Sequence, residues 1–212
     1  DSYKAATNWS TYAAQIRPIS DLADLNIDSS ITSIANAEYK NNQTLTSVAG
    51  YGIVSVGEEG FRGSSASSIE FANCNEVGKY AFADYPNLEG VKLKYNQITN
   101  IAEGIFMNSL VSFCTLPVVA IIQANAFKNT QVDIVNMPIV EKIGNSAFEN
   151  DLIADLNLPL VTTLGKASFK NNSINSITLS EVITINDNAF EENNLTELSI
   201  SKVTFIGHSA FT

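Results

Sequence analysis

The feature that most constrains this chain is a 21-residue period. Phe106, Phe127, Phe148, Phe169, Phe190 and Phe211 follow one another at that spacing, and all but Phe106 and Phe169 come directly after an Ala. Upstream, Phe82, Phe61 and Tyr39 continue the series at steps of 24, 21 and 22, so the early repeats carry small insertions. A period of this length marks a chain built from stacked units, each too small to enclose its own apolar side chains.

The other apolar positions keep step with the aromatics. Five residues before each stands an aliphatic: Ile34, Val56, Val77, Ile101, Ile122, Ile143, Leu164, Ile185 or Ile206. In the regular repeats the fifth residue after the Phe is Val111, Val132, Ile153, Ile174 or Leu195, and the thirteenth is Val119, Val140, Val161, Val182 or Val203. Between them lie alternating pairs: Cys114 and Leu116, Val135 and Met137, Leu156 and Leu158, Ile177 and Leu179, Leu198 and Ile200. That period of two predicts one short strand per repeat, buried on one face. Pro117, Pro138 and Pro159 follow it and remove a donor; Ser180 and Ser201 stand there later.

Turn residues close each unit. Gly57, Gly78, Gly144, Gly165 and Gly207, with Asn186, precede the aromatic by four, a pattern that suggests positive φ. Asn108, Asn129, Asn150 and Asn171 follow it by two, where stacked amides would form a ladder.

The units "IGNSAFENDLIADLNLPLV", "LGKASFKNNSINSITLSEV" and "INDNAFEENNLTELSISKV" resemble the BspA-like leucine-rich repeat, in which an I-G-x-x-A-F element follows a short L-P strand. The resemblance implies an α/β solenoid of about nine 21-residue coils, with one parallel strand per coil and short 3₁₀ or turn segments between. A parallel β-helix is the alternative, and the Ala-Phe segment discriminates: a helical turn there fits the first, a third strand the second. The resemblance also implies a bacterial surface or secreted protein, some relatives acting as adhesins.

Residues 1–30 break the period. The stretch from Tyr3 to Ile19, with the single Trp9, resembles the flanking segments of that family and suggests a cap, leaving 31–212 as the solenoid. No such cover follows Phe211, so either further repeats or association would close that end.

Chemistry is sparse. Twelve Lys and Arg against twenty-two Asp and Glu give a net charge of −10, the wrong sign for nucleic acid. No apolar run approaches the roughly 18 residues of a membrane helix. His208, the only imidazole, falls at a freely varying position and reads as an exposed loop residue, so no Ser-His-Asp catalyst is expected. Asp151 with Asp155, and Glu191 with Glu192, lack any metal-binding signature and read as solvated turns. Cys74 and Cys114 occupy core positions two coils apart, roughly 10 Å at about 4.8 Å per coil, beyond disulfide reach. Both are expected as free thiols. No enzyme, cofactor or metal is anticipated.

What remains is surface. Residues alternating with the strand core point outward in two files: Phe113, Ile134, Asp155, Ser176 and Glu197, and beside them Thr115, Asn136, Asn157, Thr178 and Ser199. Phe113 and Ile134 stand out as apolar; they are either a hot spot for a partner or covered by a flanking loop, the insertion near Tyr95 or crystal packing. Two functions follow: a cell-surface or secreted module binding protein or glycan on its concave strand face, or a rigid spacer with no ligand of its own.

Overall fold

The computed structural model of the chain describes residues 24–94 and 96–212, without the side chains of Phe113 and Cys114. The suggested cap from Tyr3 to Ile19 lies outside the described residues. Among the described residues, nine coils build two faces of a parallel solenoid, each coil giving a short strand to both faces except the seventh, which has a strand on the second face only. The first face carries β1 (Asp24–Asn26), β3 (Ser47–Ala49), β5 (Ser68–Glu70), β7 (Gly90–Lys92), β9 (Phe113–Thr115), β11 (Ile134–Asn136), β14 (Ser176–Leu179) and β16 (Glu197–Ile200). The second carries β2 (Ser33–Ile34), β4 (Ser55–Val56), β6 (Glu76–Val77), β8 (Asn100–Ile101), β10 (Ile121–Ile122), β12 (Lys142–Ile143), β13 (Thr163–Leu164), β15 (Thr184–Ile185) and β17 (Phe205–Ile206).

All pairings are parallel and in register, Ile134 opposite Phe113 and Ile122 opposite Ile143, for example. Pairing on the first face begins at Asp24. That face is interrupted twice: β7 and β9 do not pair, and in the seventh coil only an isolated bridge joins Ile134 to Asp155.

Two expectations require correction. No helix, α or 3₁₀, occurs among the described residues, so the α/β label gives way to an all-β solenoid. Each coil also has a second strand, built on the aliphatic five before the aromatic. At two residues it is too short to show alternation, which hid it from periodicity.

The Ala-Phe segment is neither helix nor third strand. Residues two before and two after the aromatic hold positive φ, as at Asn125 (57°) and Asn129 (57°) around Phe127. With these left-handed residues on either side of the aromatic, every second N–H group points toward the next coil. Asn125 N donates to Asn145 O at 2.9 Å, Phe127 N to Ala147 O at 2.8 Å, and Asn129 N to Glu149 O at 2.9 Å. Turn bonds such as Lys128 N to Asn125 O at 3.2 Å tighten the same stretch.

Positive φ strains most side chains. Here three inter-coil bonds hold it, so Ala37, Glu59, Tyr80 and Ala167 adopt it beside Asn and Gly. The five glycines four before the aromatic do not. They are needed for space instead: a Cβ on Gly165 would lie 2.4 Å from Gly144 C, and one on Gly144 2.6 Å from Ala124 N. Gly165→Ala should therefore push two coils apart and lower stability by about 1–3 kcal/mol, the usual cost of overpacking. Urea denaturation would measure it, and an unchanged midpoint would contradict the close approach.

The aromatic column forms as the period predicts. Neighbouring rings from Tyr39 to Phe211 lie 4.9–6.0 Å apart, and all but the tilted Phe106–Phe127 pair are stacked within 20°. Phe61 to Phe190 are buried. The amide ladder forms too. Asn171 Nδ2 donates to Asn150 Oδ1 at 2.9 Å, Asn150 to Asn129 at 2.6 Å, Asn129 to Asn108 at 2.7 Å, and Asn108 to Asp84 Oδ1 at 2.6 Å. Beside it runs a file of buried polar residues three after the aromatic: Ser64, Ser109, Thr130, Asp151 and Asn172.

The last coil departs from the expected core. Leu198, Ile200 and Ile206 are 42%, 40% and 49% exposed because no further described coil covers them.

Candidate functional site

Strand pleating settles the first face. In β14 the burial alternates, with Ile177 and Leu179 inward and Ser176 and Thr178 outward. The parallel register then carries each outward residue onto its neighbours: Ser176 lies opposite Glu197 and Thr178 opposite Ser199. Thr115, Ile134, Asn136, Asp155, Asn157, Ser176, Thr178, Glu197 and Ser199 are all exposed. Only the backbone of Phe113 is described, paired with Ile134. Ile134 is 69% exposed, and the described residues do not cover it.

Where regular pairing lapses near Asp155, a shallow groove of about 400 Å³ opens on this face. Its lining includes Asn157, Ser176, Thr178, Glu197 and Ser199, together with Leu156 and Leu198. Such an opening suits an extended ligand laid across the strands more than an enclosed small molecule.

Charge is distributed unevenly around the coil. On the turn side, ion pairs join successive coils: Lys128 with Glu149 at 2.8 Å, Lys170 with Glu191 at 2.6 Å, and Arg62 with Asp84 at 2.7 Å. On the strand side, Lys92 meets Glu70 at 2.6 Å in the early coils. Farther on, exposed Asp133, Asp155 and Glu197 have no basic partner among the described residues, and neither outward file from Phe113 onward contains Lys or Arg.

Periodicity overlooked a further apolar file. Nine before the aromatic stand Val118, Ile139 and Leu160, each following an exposed Pro. Ile139 and Leu160 are 39% and 46% exposed. In other coils this place holds Ser30, Gly52, Asn73, Gln97, Glu181 or Lys202, so the signal was a departure from polarity within one file.

The residues with catalytic potential are not assembled into a centre. His208 is exposed, and its Nδ1 lies 2.9 Å from Ser209 Oγ. The carboxylate that could orient the ring, Asp187, instead accepts the His208 backbone N–H at 2.9 Å. Cys74 is free and buried, and burial pushes its thiol up to about 11, far from the thiolate a nucleophile needs. The side chain of Cys114 lies outside the described residues. Titration of the denatured chain without reductant should find both thiols reactive; finding neither would indicate a disulfide.

Asp151 and Asp155 are set apart, whereas Glu191 and Glu192 both reach Lys170 Nζ, at 2.6 and 3.5 Å. Asp155 is exposed on the strand face, whereas Asp151 is buried, which corrects its reading as a solvated turn. Asp151 Oδ1 accepts Thr130 N at 2.8 Å and Thr130 Oγ1 at 2.7 Å, while Oδ2 has no partner. Burial drives its carboxyl up to about 8. Glu191 is held below the usual range by its hydrogen bond from Lys170. Among the described residues no group of three or more His, Cys, Asp or Glu could hold a metal ion.

Known proteins place the architecture. The model described as "BspA type Leucine rich repeat region" matches residues 18–133 and 120–212, in six copies. A comparison with curated proteins finds no match. Among solved structures, the chain is similar to a leucine-rich repeat protein from Bacteroides ovatus, with 21% identity, a TM-score of 0.73, and coverage of 91% of this chain and 58% of that one. A leucine-rich cell surface protein from Faecalibacterium prausnitzii shares 18% identity at a TM-score of 0.52, over 85% of this chain and 60% of that one. The pneumococcal vaccine antigen PcpA shares 14% at 0.52, over 93% and 71%. The chain thus spans somewhat over half the length of the first two.

Proposed function

Because the chain belongs to the BspA-type leucine-rich repeat family, we propose that it is a non-catalytic interaction module of the cell surface or the secreted space, binding a protein or glycan through its strand face. The observation that carries this reading is the exposed, in-register double file, with Ile134 69% exposed on it. A solvated aliphatic of that size on a regular sheet suits burial by a partner. The surface assignment is supported by the F. prausnitzii relative, described as a cell surface protein. No helix among the described residues is long and apolar enough to cross a membrane.

A screen against glycans and extracellular matrix proteins should identify a ligand. The double change Phe113→Ser and Ile134→Ser should then weaken binding at least about tenfold, as loss of a hot spot does, with the melting temperature unchanged. Retained affinity would move the ligand off this face.

The continuous aromatic column favours a second reading, a stiff spacer displaying another domain. Finding no ligand in that screen would support it.

A further inference from the structure

We propose that the occupant of the strand face is an extended, cationic protein segment carrying Lys or Arg beside an apolar side chain, an inference that rests on the proposed binding role of that face. Three observations converge. Asp133, Asp155 and Glu197 are exposed with no basic partner among the described residues and, unlike the unpaired Glu58, Glu76 and Glu141 elsewhere, lie in or beside the strand face that carries Ile134. Ile134 sits in register with Asp155, and Asp155 is followed in the same file by Ser176 and Glu197. The groove beside them is lined by hydroxyl and amide groups able to bond a main chain.

The spacing suits an extended segment. At about 4.8 Å per coil, Ile134 to Asp155 is roughly 5 Å and Asp155 to Glu197 roughly 10 Å. A strand laid along the stack advances about 6.7 Å between side chains on one face. One apolar residue and the next two alternate residues thus span Ile134, Asp155 and Glu197, so an apolar-x-Lys-x-Lys pattern meets each in turn. Lys and Arg stems are long enough to absorb the mismatch. Solvated ion pairs are individually weak, so contact with Ile134 supplies local desolvation while the acidic file steers approach and selects sign. Neutral glycans leave the three carboxylates unanswered, and acidic ones are repelled.

The test uses a fluorescein-labelled peptide of alternating Leu and Lys, with counterparts carrying Gln or Glu for Lys, read by anisotropy at low and high salt. The Lys peptide should bind, weakening about tenfold or more as salt rises. D133N/D155N/E197Q should weaken it about tenfold with an unchanged melting temperature, whereas E58Q/E76Q/E141Q, the same charge change on the other faces, should leave it intact. Equal loss in both triple variants, equal affinity for the Gln or Glu peptide, or no binding of the Lys peptide overturns the proposal. If Ile134→Ser weakens the Gln peptide while the charge variants change nothing, the strand-face reading stands and the cationic partner falls. Lys-peptide binding indifferent to both sets of changes removes both.

Discussion

Replacing Phe148 by Ala should destabilise the solenoid by about 3–5 kcal/mol, the cost typical of truncating a core Phe. Phe148 is fully buried, with Phe127 at 5.1 Å and Phe169 at 5.3 Å, both nearly parallel to it. Removing the ring leaves a cavity bounded by two aromatics that cannot collapse, because each is anchored by backbone bonds to the neighbouring coils. In a linear array the damage has a second consequence. Each coil's stability comes from its neighbours, so a weak central interface uncouples the two halves. Denaturation should show a lower midpoint and a reduced slope, as the coils before and after residue 148 begin to melt separately. An unchanged curve would remove the column from the core.

A comparably large effect is expected at Asp151, with the unusual sign that a neutral substitution stabilises. Burial raises its carboxyl from 3.8 to about 8 in the folded chain, outweighing the hydrogen bonds from Thr130 that favour the charged form. Between those values the folded state binds the proton and the unfolded state does not. Stability from this group is therefore fully present below about pH 4 and is lost as pH rises through 8. Integrated over the interval, the loss is on the order of 6 kcal/mol.

Asp151→Asn cannot ionise, so it should flatten the pH dependence across this window and be more stable than the parent at pH 8. An Asn also fits the file. The amides of Asn172 and Asn193, in the two following coils, donate to Phe148 O and Phe169 O at 2.7 Å, and their Oδ1 atoms accept Ile153 N and Ile174 N. Urea midpoints of both proteins at pH 5 and pH 8 decide the matter. A parent equally stable at both, or a variant weaker at pH 8, would mean that Asp151 remains charged inside the fold.

How much was legible beforehand depended on whether a residue's role repeats. The aromatic column, the strand core and the Asn108–Asn171 ladder recur in successive coils, and repetition makes them stand out against variable neighbours. The left-handed position two before the aromatic was hidden, because residues as different as Ala37, Tyr80 and Asn125 share it. The glycines of the preceding turn were noticed for the wrong reason. Their type is compatible with positive φ, but only the neighbouring coil's backbone shows that space is what matters. Asp151 was misjudged because a carboxylate beside a turn normally meets water; the coils around it exclude that water. The outward files were readable from pleating, yet the lack of basic partners for Asp155 and Glu197 within them was not.

By itself the sequence determined the repeat length, the stacking axis and which side chains look inward, since a 21-residue unit can bury its apolar residues only against copies of itself. The tertiary structure alone decided how the backbone turns between strands, which glycines are indispensable, where a carboxyl is denied solvent and which charges lack partners. Those outcomes depend on contacts between coils, and such contacts join residues too far apart in the chain for local pattern to reveal them.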